Sequence, residues 1–550
     1  MLSSGLGLAL TPVPLIAALL LVYVLQPGWT RLARPMALTS AVATCALLVV
    51  DAVVVSGGGR VQVSLGNQLG GVTLLLRADP AGVVIAFAAT VAAVLTLLDR
   101  SRRRAEVIGV LVCLLGSVTA ALAGDGVTLF AGVEVANLGG LVLLAPTRGR
   151  AGRGMLAALA VEHLAALGLL AAAVQLQISQ GTSAFAVLPA GALTAAVAWP
   201  WAIAGAMRLL SPAIVPVRGA GLPSGTLAAV AAVPCGAAII LRLRDAAGGA
   251  ALPTSAQIVL DILGAMAALG GAAVAMRYWR SPVLAGRGLC LAIAGPVLVV
   301  TGMSGAAAAT AVAAGLFSLE LAVAASTAWE RVGVADRWLA PAAFLAAGGL
   351  PTGFGATALV LELGAVAVLG RARLALLAVL LIAAVGAAGA ATTMAWAAFR
   401  SRPSGTRALP VLALLAVALS ALTALVPGGS AATVGGLLAA GGVSRAAGAA
   451  AVLGPGGGWA GGYFLVAGLF LAIAGAAALQ LSGMRLPHEG AKGPAPASVP
   501  GPLPLRTWRA LRGPVSFALF AASRVDEWLI VQPQLPLLVG GTVLALLLIH

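Results

Sequence analysis

The chain has 550 residues, of which 61% are hydrophobic and only 9% charged, against about a quarter charged in an average soluble domain. That balance excludes a soluble globular protein. The formal charge of +16 does not signal a nucleic-acid binder: the arginines sit in short loops between apolar runs, and no basic stripe with interleaved aromatics occurs.

Apolar runs of ~20 residues, each long enough to cross ~30 Å of hydrocarbon, recur along the sequence. Read as helices they give roughly sixteen spans. The expected fold is therefore an all-α polytopic membrane protein of about 14–16 transmembrane helices. The first two lie near 8–26 and 36–56. No basic residue precedes the first run, and Arg31 and Arg34 follow it. This argues for a first helix with its N-terminus outside rather than a cleaved signal peptide. The alternation in Val61–Arg77 (Val61, Val63, Leu65) admits a short extracellular strand pair. Further spans are predicted near 80–98, 106–123, 126–146, 154–177, 190–210, 223–243, 256–276, 284–302 and 305–328, then near 338–370, 373–396, 408–426, 461–483 and 533–549.

Arginines test this count. Arg100/Arg102/Arg103/Arg104, Arg148/Arg150/Arg153, Arg208/Arg218, Arg277/Arg280/Arg287 and Arg400/Arg402/Arg407 fall in alternate loops, which the positive-inside rule makes cytoplasmic. An even number of helices then puts both termini outside a plasma membrane. Arg242/Arg244 and Arg371/Arg373 fall on the wrong side.

Two segments do not read as plain helices: Leu209 through Pro212, Pro216 and Gly219 to Pro223, and Gly348 through Pro351 and Gly353 to Phe354. Pro and Gly this dense break the hydrogen-bond ladder. Interrupted helices in corresponding halves suggest inverted repeats around a transport path; the alternative is a simple loop or kink, for the first segment a cytoplasmic loop. Near the C-terminus, 487–504 is a Pro/Gly/Ala linker holding Lys492, the only lysine in the chain. The charged and aromatic stretch 505–531 suits a cytoplasmic lateral amphipathic helix. The expected divisions are 1–79 (first helices and external segment), 80–430 (transmembrane core), 431–483 (external loop and helix) and 484–550 (linker, lateral helix and final span).

Carboxyls inside apolar runs carry the chemical information, because a buried carboxylate must pair or take up a proton. The candidates are Glu134, Glu162, Asp261, Glu320 and Glu362, with His163 the only histidine well inside a span. Asn137 lies one turn beyond Glu134, where it can hydrogen-bond the same carboxyl. Glu162 and His163 are adjacent and point different ways on a helix, so they need not share a site. The bland alternative for each acid is a carboxyl satisfied by a nearby hydroxyl or arginine.

Several chemistries are excluded. Cys45, Cys113, Cys235 and Cys290 are widely spaced, and no CxxC pair supports a metal centre or disulfide framework. A Walker A loop needs GK[ST], and the lone lysine stands in Gly-Ala-Lys-Gly. No GxSxG or HExxH occurs. No cofactor or metal is expected in this chain, and any redox centre must belong to partners.

Three motifs resemble the antiporter-like subunits shared by respiratory complex I, membrane-bound hydrogenases and Mrp-type antiporters. Leu-Leu-Leu-Arg77-Ala-Asp79-Pro is similar to that family's "R-x-D-x-L-S" lead-in to the third helix. Asp125…Phe130…Glu134 resembles its "D-L-x-x-L-F-x-x-x-E" helix. Gly349-Leu350-Pro351-Thr352-Gly353-Phe354 resembles its "G-L-P-P-x-x-G-F" break. Sixteen helices with a lateral helix before the last most resemble the large distal complex I subunit. The resemblance implies a proton-translocating membrane subunit with Glu134 as a central proton-path residue, partnered by other membrane subunits of a redox-driven complex.

The departures concern the family's membrane lysines. Trp201 stands at one lysine and Arg208 near the following histidine; Ala314 to Glu320 replaces "H-A-L-F-K-A-L"; Thr357 stands near the last Lys or Glu. Arginine does not release its proton, so it cannot replace lysine as a carrier. The expectations are a divergent translocating subunit using carboxylates, His163 and water, a non-conducting scaffold subunit, or a stand-alone ion-coupled transporter.

Overall fold

The computed structural model describes residues 4–24, 30–56, 61–69, 72–98, 104–144, 150–189, 191–214, 223–278, 282–332, 359, 362, 363, 365, 366 and 374–400. The break at Pro351 and Gly353, Arg371/Arg373, the linker, the lateral helix and the last spans lie outside these residues. Among the described residues nine helices are long and apolar enough to cross a membrane, and Gly7–Val22 and Ala311–Ala324 add shorter apolar stretches. The protein is an all-α multi-pass membrane protein, and its described residues also include one small β-hairpin.

The first predicted span is two helices, α1 (Ser4–Leu10) and α2 (Val13–Val24). Pro12 has no N–H to continue the ladder. Thr11 closes the gap, its hydroxyl within hydrogen-bond reach of the Gly7 carbonyl at 3.2 Å and Asp51 Oδ2 at 2.9 Å. Asp51 is buried on α3 (Thr30–Ser56). The alternating segment forms β1 (Val61–Leu69) and β2 (Val72–Ala78), an antiparallel pair in register from Val61↔Ala78 to Leu65↔Leu74.

There follow α4 (Pro80–Leu98), α5 (Arg104–Ala121), α6 (Gly126–Leu144), α7 (Arg150–Gln180) and α8 (Ala195–Ile214). The helix α8 runs on through Pro212 to Ile214, so the interruption expected from Leu209 onward does not begin there. A proline in a last turn costs one backbone bond and leaves the preceding helix intact. Pro216 and Gly219 lie outside the described residues, and the next span is itself irregular. It opens as α9 (Pro223–Leu227), widens into a π-helical turn at Ala228–Ala232, and continues as α10 (Val233–Ala246). The remaining described helices are α11 (Thr254–Arg277), α12 (Pro282–Thr301), α13 (Ala306–Val332) and α14 (Leu374–Arg400).

Small residues set the helix spacing, as expected where lipid removes the hydrophobic drive for helix association. A Cβ on Gly116 would stand 2.2 Å from the Ala136 nitrogen, and one on Gly132 2.5 Å from that of Ala120, so α5 and α6 meet backbone to backbone. Gly271 and Gly264 do the same for α11 against α12.

The ends of these helices are tied by Asp125. Its Oδ1 accepts the Thr128 N–H at 2.8 Å, capping α6, and its Oδ2 accepts the Leu75 N–H of β2 at 2.9 Å. Burial raises the Asp125 pKa above the usual carboxylate value, against the lowering effect of the Thr128, Leu75 and Val127 donors.

A second tie corrects the arginine reading. Arg242 and Arg244 are not loop charges: both are buried at the end of α10. Arg242 donates to Asp79, to Asp245 at 2.6 Å and to the Ala121 carbonyl at 2.6 Å. Arg77 lies 3.5 Å from Asp79 and 3.8 Å from Asp245. Two guanidiniums face two carboxylates, so the group is neutral as a whole. Arg244 donates to the carbonyls of Ala250, Thr301 and Met303. Arg242 is balanced by carboxylates and Arg244 is held by backbone carbonyls, so neither needs a water-filled loop around it.

Candidate functional site

The second half of α6 presents Glu134 and, one turn on, Asn137. The α5–α6 glycine contacts hold this face in place, while α7 brings Glu162 and His163 and α8 brings Arg208 alongside. Gly236 lets α10 approach Arg208, since a Cβ there would lie 3.0 Å from Arg208 Cβ and 2.9 Å from the Leu209 nitrogen.

Five side chains form one connected polar group. Asn137 Nδ2 donates to Glu134 Oε1 at 3.1 Å, and His163 Nδ1 lies 3.2 Å from Glu134 Oε2. Asn137 Nδ2 is also 3.4 Å from His163 Nδ1. On its other side Asn137 Oδ1 accepts from Arg208 Nη2 at 2.8 Å. Arg208 Nη2 further donates to the Glu162 carbonyl at 3.2 Å, and Nη1 is 3.9 Å from Glu162 Oε2. Exposure falls inward: the Glu134 and His163 side chains are 28% and 27% exposed, Glu162 3% and Arg208 0%. The group thus runs from an accessible acid–imidazole pair to a sealed acid–guanidinium pair.

Glu162 and His163 do point different ways, His163 to Glu134 and Glu162 to Arg208, yet Asn137 and Arg208 join them into one site. The sequence reading placed Arg208 in a cytoplasmic loop, and this is corrected: Arg208 is fully buried within α8. An arginine inside the run Ala-Ile-Ala-Gly-Ala-Met-Arg-Leu-Leu was the available signal, because a mid-run guanidinium implies a buried acid or carbonyl partner.

Glu320 on α13 and Glu362 are buried, and among the described residues no hydrogen-bond partner meets either oxygen of Glu320 or Oε1 of Glu362. Glu362 sits over Gly315 of α13, where a Cβ would come within 2.0 Å of its Oε1. Asp261 is only partly buried on α11 and is not a member of the five-residue group. Between that group and Glu320 stands Cys235 of α10, within electrostatic reach of Arg208, Glu162 and Glu320. Ser117 of α5 donates to the Val230 carbonyl at 2.6 Å and lies 3.6 Å from Cys235 Sγ. That carbonyl belongs to the π-helical turn, a wide turn of the kind often found at functional sites. No pattern of apolar residues or charges marks such a turn, so Ser117, Cys235 and Val230 were not legible beforehand. Asp51, beside Thr11, was a further intramembrane acid that the sequence reading passed over. Among the described residues no cluster of His, Cys, Asp and Glu could hold a metal ion.

No family model and no curated protein matches the sequence. Solved structures do. A chain of the Mrp complex from Dietzia sp. DQ12-45-1b superposes with a TM-score of 0.65 at 19% identity, over 98% of this protein and 63% of that chain. A chain of the archaeal membrane-bound sulfane sulfur reductase gives 0.61 at 15%, covering 96% and 95%. A chain of respiratory complex I from Thermus thermophilus gives 0.60 at 19%, covering 81% and 99%. This protein has the antiporter-like subunit fold. It spans less than two thirds of the Mrp chain's length.

Within that fold, the position where the resemblance expected a lysine holds Trp201, fully buried. Its indole donates to the Ile239 carbonyl at 3.1 Å and its ring lies 5.6 Å from that of Phe185. The tryptophan is a packing element between α8 and α10. The cation of this region is Arg208, two turns further along α8.

Proposed function

We propose that this chain is a membrane subunit of a multi-subunit ion-translocating complex, and that Glu134 with His163 forms its proton-loading site. The observation that carries the reading is the polar series from partly exposed Glu134, through hydrogen bonds by Asn137 to Arg208, to the Glu162 backbone carbonyl and, 3.9 Å from the guanidinium, its buried carboxyl. A proton taken up by the acid–imidazole pair changes the charge beside Asn137. Arg208 stays cationic throughout, so it holds Glu162 in place and does not itself carry a proton. Ser117, Cys235 and the Val230 carbonyl offer polar surface on the way to Glu320, and Glu362 follows across α13, with water bridging the longer gaps. The fold supports membrane partner subunits, and the likeness to complexes of respiration and antiport supports a redox-driven or ion-exchange assembly; a plasma-membrane setting with both termini outside rests on the arginine-rich loops of the sequence alone. The chain's own contribution is carboxylate-based because membrane lysines are absent.

The test uses the full chain, with whatever subunits co-purify, in proteoliposomes under an imposed potential. Glu134→Gln should lower proton uptake by about tenfold or more, the lower end of general acid–base contributions being ~100-fold and leakage reducing the apparent ratio. Unchanged uptake would refute the loading-site reading and leave a scaffold subunit.

A further inference from the structure

Asn137 has a fixed amide orientation. Arg208 has only donors, so the atom 2.8 Å from its Nη2 is Oδ1. The Nδ2 group must then face Glu134 Oε1 at 3.1 Å and His163 Nδ1 at 3.4 Å. One of its two hydrogens is given to Oε1.

His163 Nδ1, in turn, lies 3.2 Å from Glu134 Oε2. Two arrangements of one proton fit these distances without moving a heavy atom. With the proton on Nδ1, the imidazole donates to the Glu134 carboxylate, whose other oxygen accepts from Asn137. With the proton on Oε2, the carboxyl donates to the one lone pair of a bare Nδ1, and Asn137 keeps its bond to Oε1. A rotated amide would set its own oxygen against Oε1, which is an acceptor in both arrangements.

We propose that Asn137, anchored by Arg208, is a positioning residue that lets one proton pass between Glu134 Oε2 and His163 Nδ1. The inference rests on the loading-site reading above. In the transfer the Oε2–H bond breaks and its electron pair stays on the carboxylate, while the Nδ1 lone pair forms the new N–H bond. No other reactant takes part. The charged and titratable groups facing Asn137 and its partners are Glu134 on α6, Glu162 and His163 on α7, Arg208 on α8, and the thiols Cys113 on α5 and Cys235 on α10. Arg208 thereby links the sealed pair to the accessible one: it touches neither Glu134 nor His163 among the contacts described, yet sets which face of the amide they meet.

The readout is the 15N resonance of His163 Nδ1 in the full chain, labelled at histidine and held in lipid at one fixed pH. His163→Gln assigns the signal against His488 and His550. Asn137→Leu removes the donor, and because a hydrogen bond to a carboxylate is stronger than one to a neutral carboxyl, the arrangement with the proton on Nδ1 loses more. The ratio of protonated to bare Nδ1 should fall about fivefold, the effect of one net hydrogen bond. Arg208→Met, which keeps Asn137 but frees its amide, should move the ratio in the same direction. Asn137→Ala, which also removes the donor and adds neither charge nor bulk, covers the case in which leucine prevents folding. An Nδ1 ratio unchanged in both Arg208→Met and either folded Asn137 variant would overturn the proposal. Loss of proton uptake in Glu134→Gln is read separately, so a failed loading site and a failed positioning role give different results.

Discussion

Replacing Arg242 by methionine probes the tie between β2, α4, α5 and α10. The substitution conserves length and removes one guanidinium from a neutral set of two arginines and two aspartates. Asp79, Asp245 and the Ala121 carbonyl each lose a donor. Arg77 remains, at 3.5 Å from Asp79 and 3.8 Å from Asp245, and its single positive charge balances only one of the two carboxylates. Breaking a buried pair by removing one partner costs about 3–5 kcal/mol. The residual Arg77 contacts, together with the 28% exposure of the Asp245 side chain, place the cost near the lower end, about 3 kcal/mol. Adding Asp79→Asn restores neutrality, with Arg77 left facing Asp245, and should recover about half of that loss. Reversible unfolding in mixed detergent micelles measures the two single variants and the double. A double variant no more stable than the weaker single would refute the argument that the uncompensated charge, rather than lost packing, sets the cost.

Three further outcomes follow from the geometry. Gly116→Val drives a side chain into the Ala136 backbone at 2.2 Å and should lower folded yield sharply, whereas Gly270→Ala, with nothing within 4 Å, should leave it unchanged; equal yields would contradict backbone-to-backbone packing of α5 on α6. Gly315→Ala should displace Glu362, whose Oε1 occupies the space of the new methyl, so proton uptake should fall and Glu362→Gln should add no further loss; additive losses would separate the two positions. For pH, burial alone would raise Asp79, but the Arg242 and Arg77 guanidiniums and the Gly82 N–H outweigh it and hold its carboxyl below the usual range. Its contribution is therefore complete above its unfolded value of about 3.9 and is lost as pH falls through the lower folded value. Stability should be level in this respect from pH 7 to 5, with an acid limb below about 4 that Asp79→Asn flattens; identical acid limbs would refute the assignment.

Sequence alone determined most of the spans that fall among the described residues, because hydrocarbon thickness and backbone hydrogen bonding leave few options for apolar runs of this length. It also marked the hairpin through the Val61–Leu65 alternation, and Glu134 with Asn137 through helical spacing. What it did not determine was which groups from different helices meet. Arg208, Arg242 and Arg244 carry the same side chain as the loop arginines, and only the acids and carbonyls brought to them across the bundle make their burial tolerable. The π-helical turn at Ala228–Ala232 leaves no compositional trace, since its alanines suit an ordinary helix equally well. The pairing of Glu134 with His163, and of both with Arg208 through one amide, depends on the rotation and spacing of α6, α7 and α8. Contacts between small residues fix those quantities in three dimensions, and no periodicity along the chain encodes them.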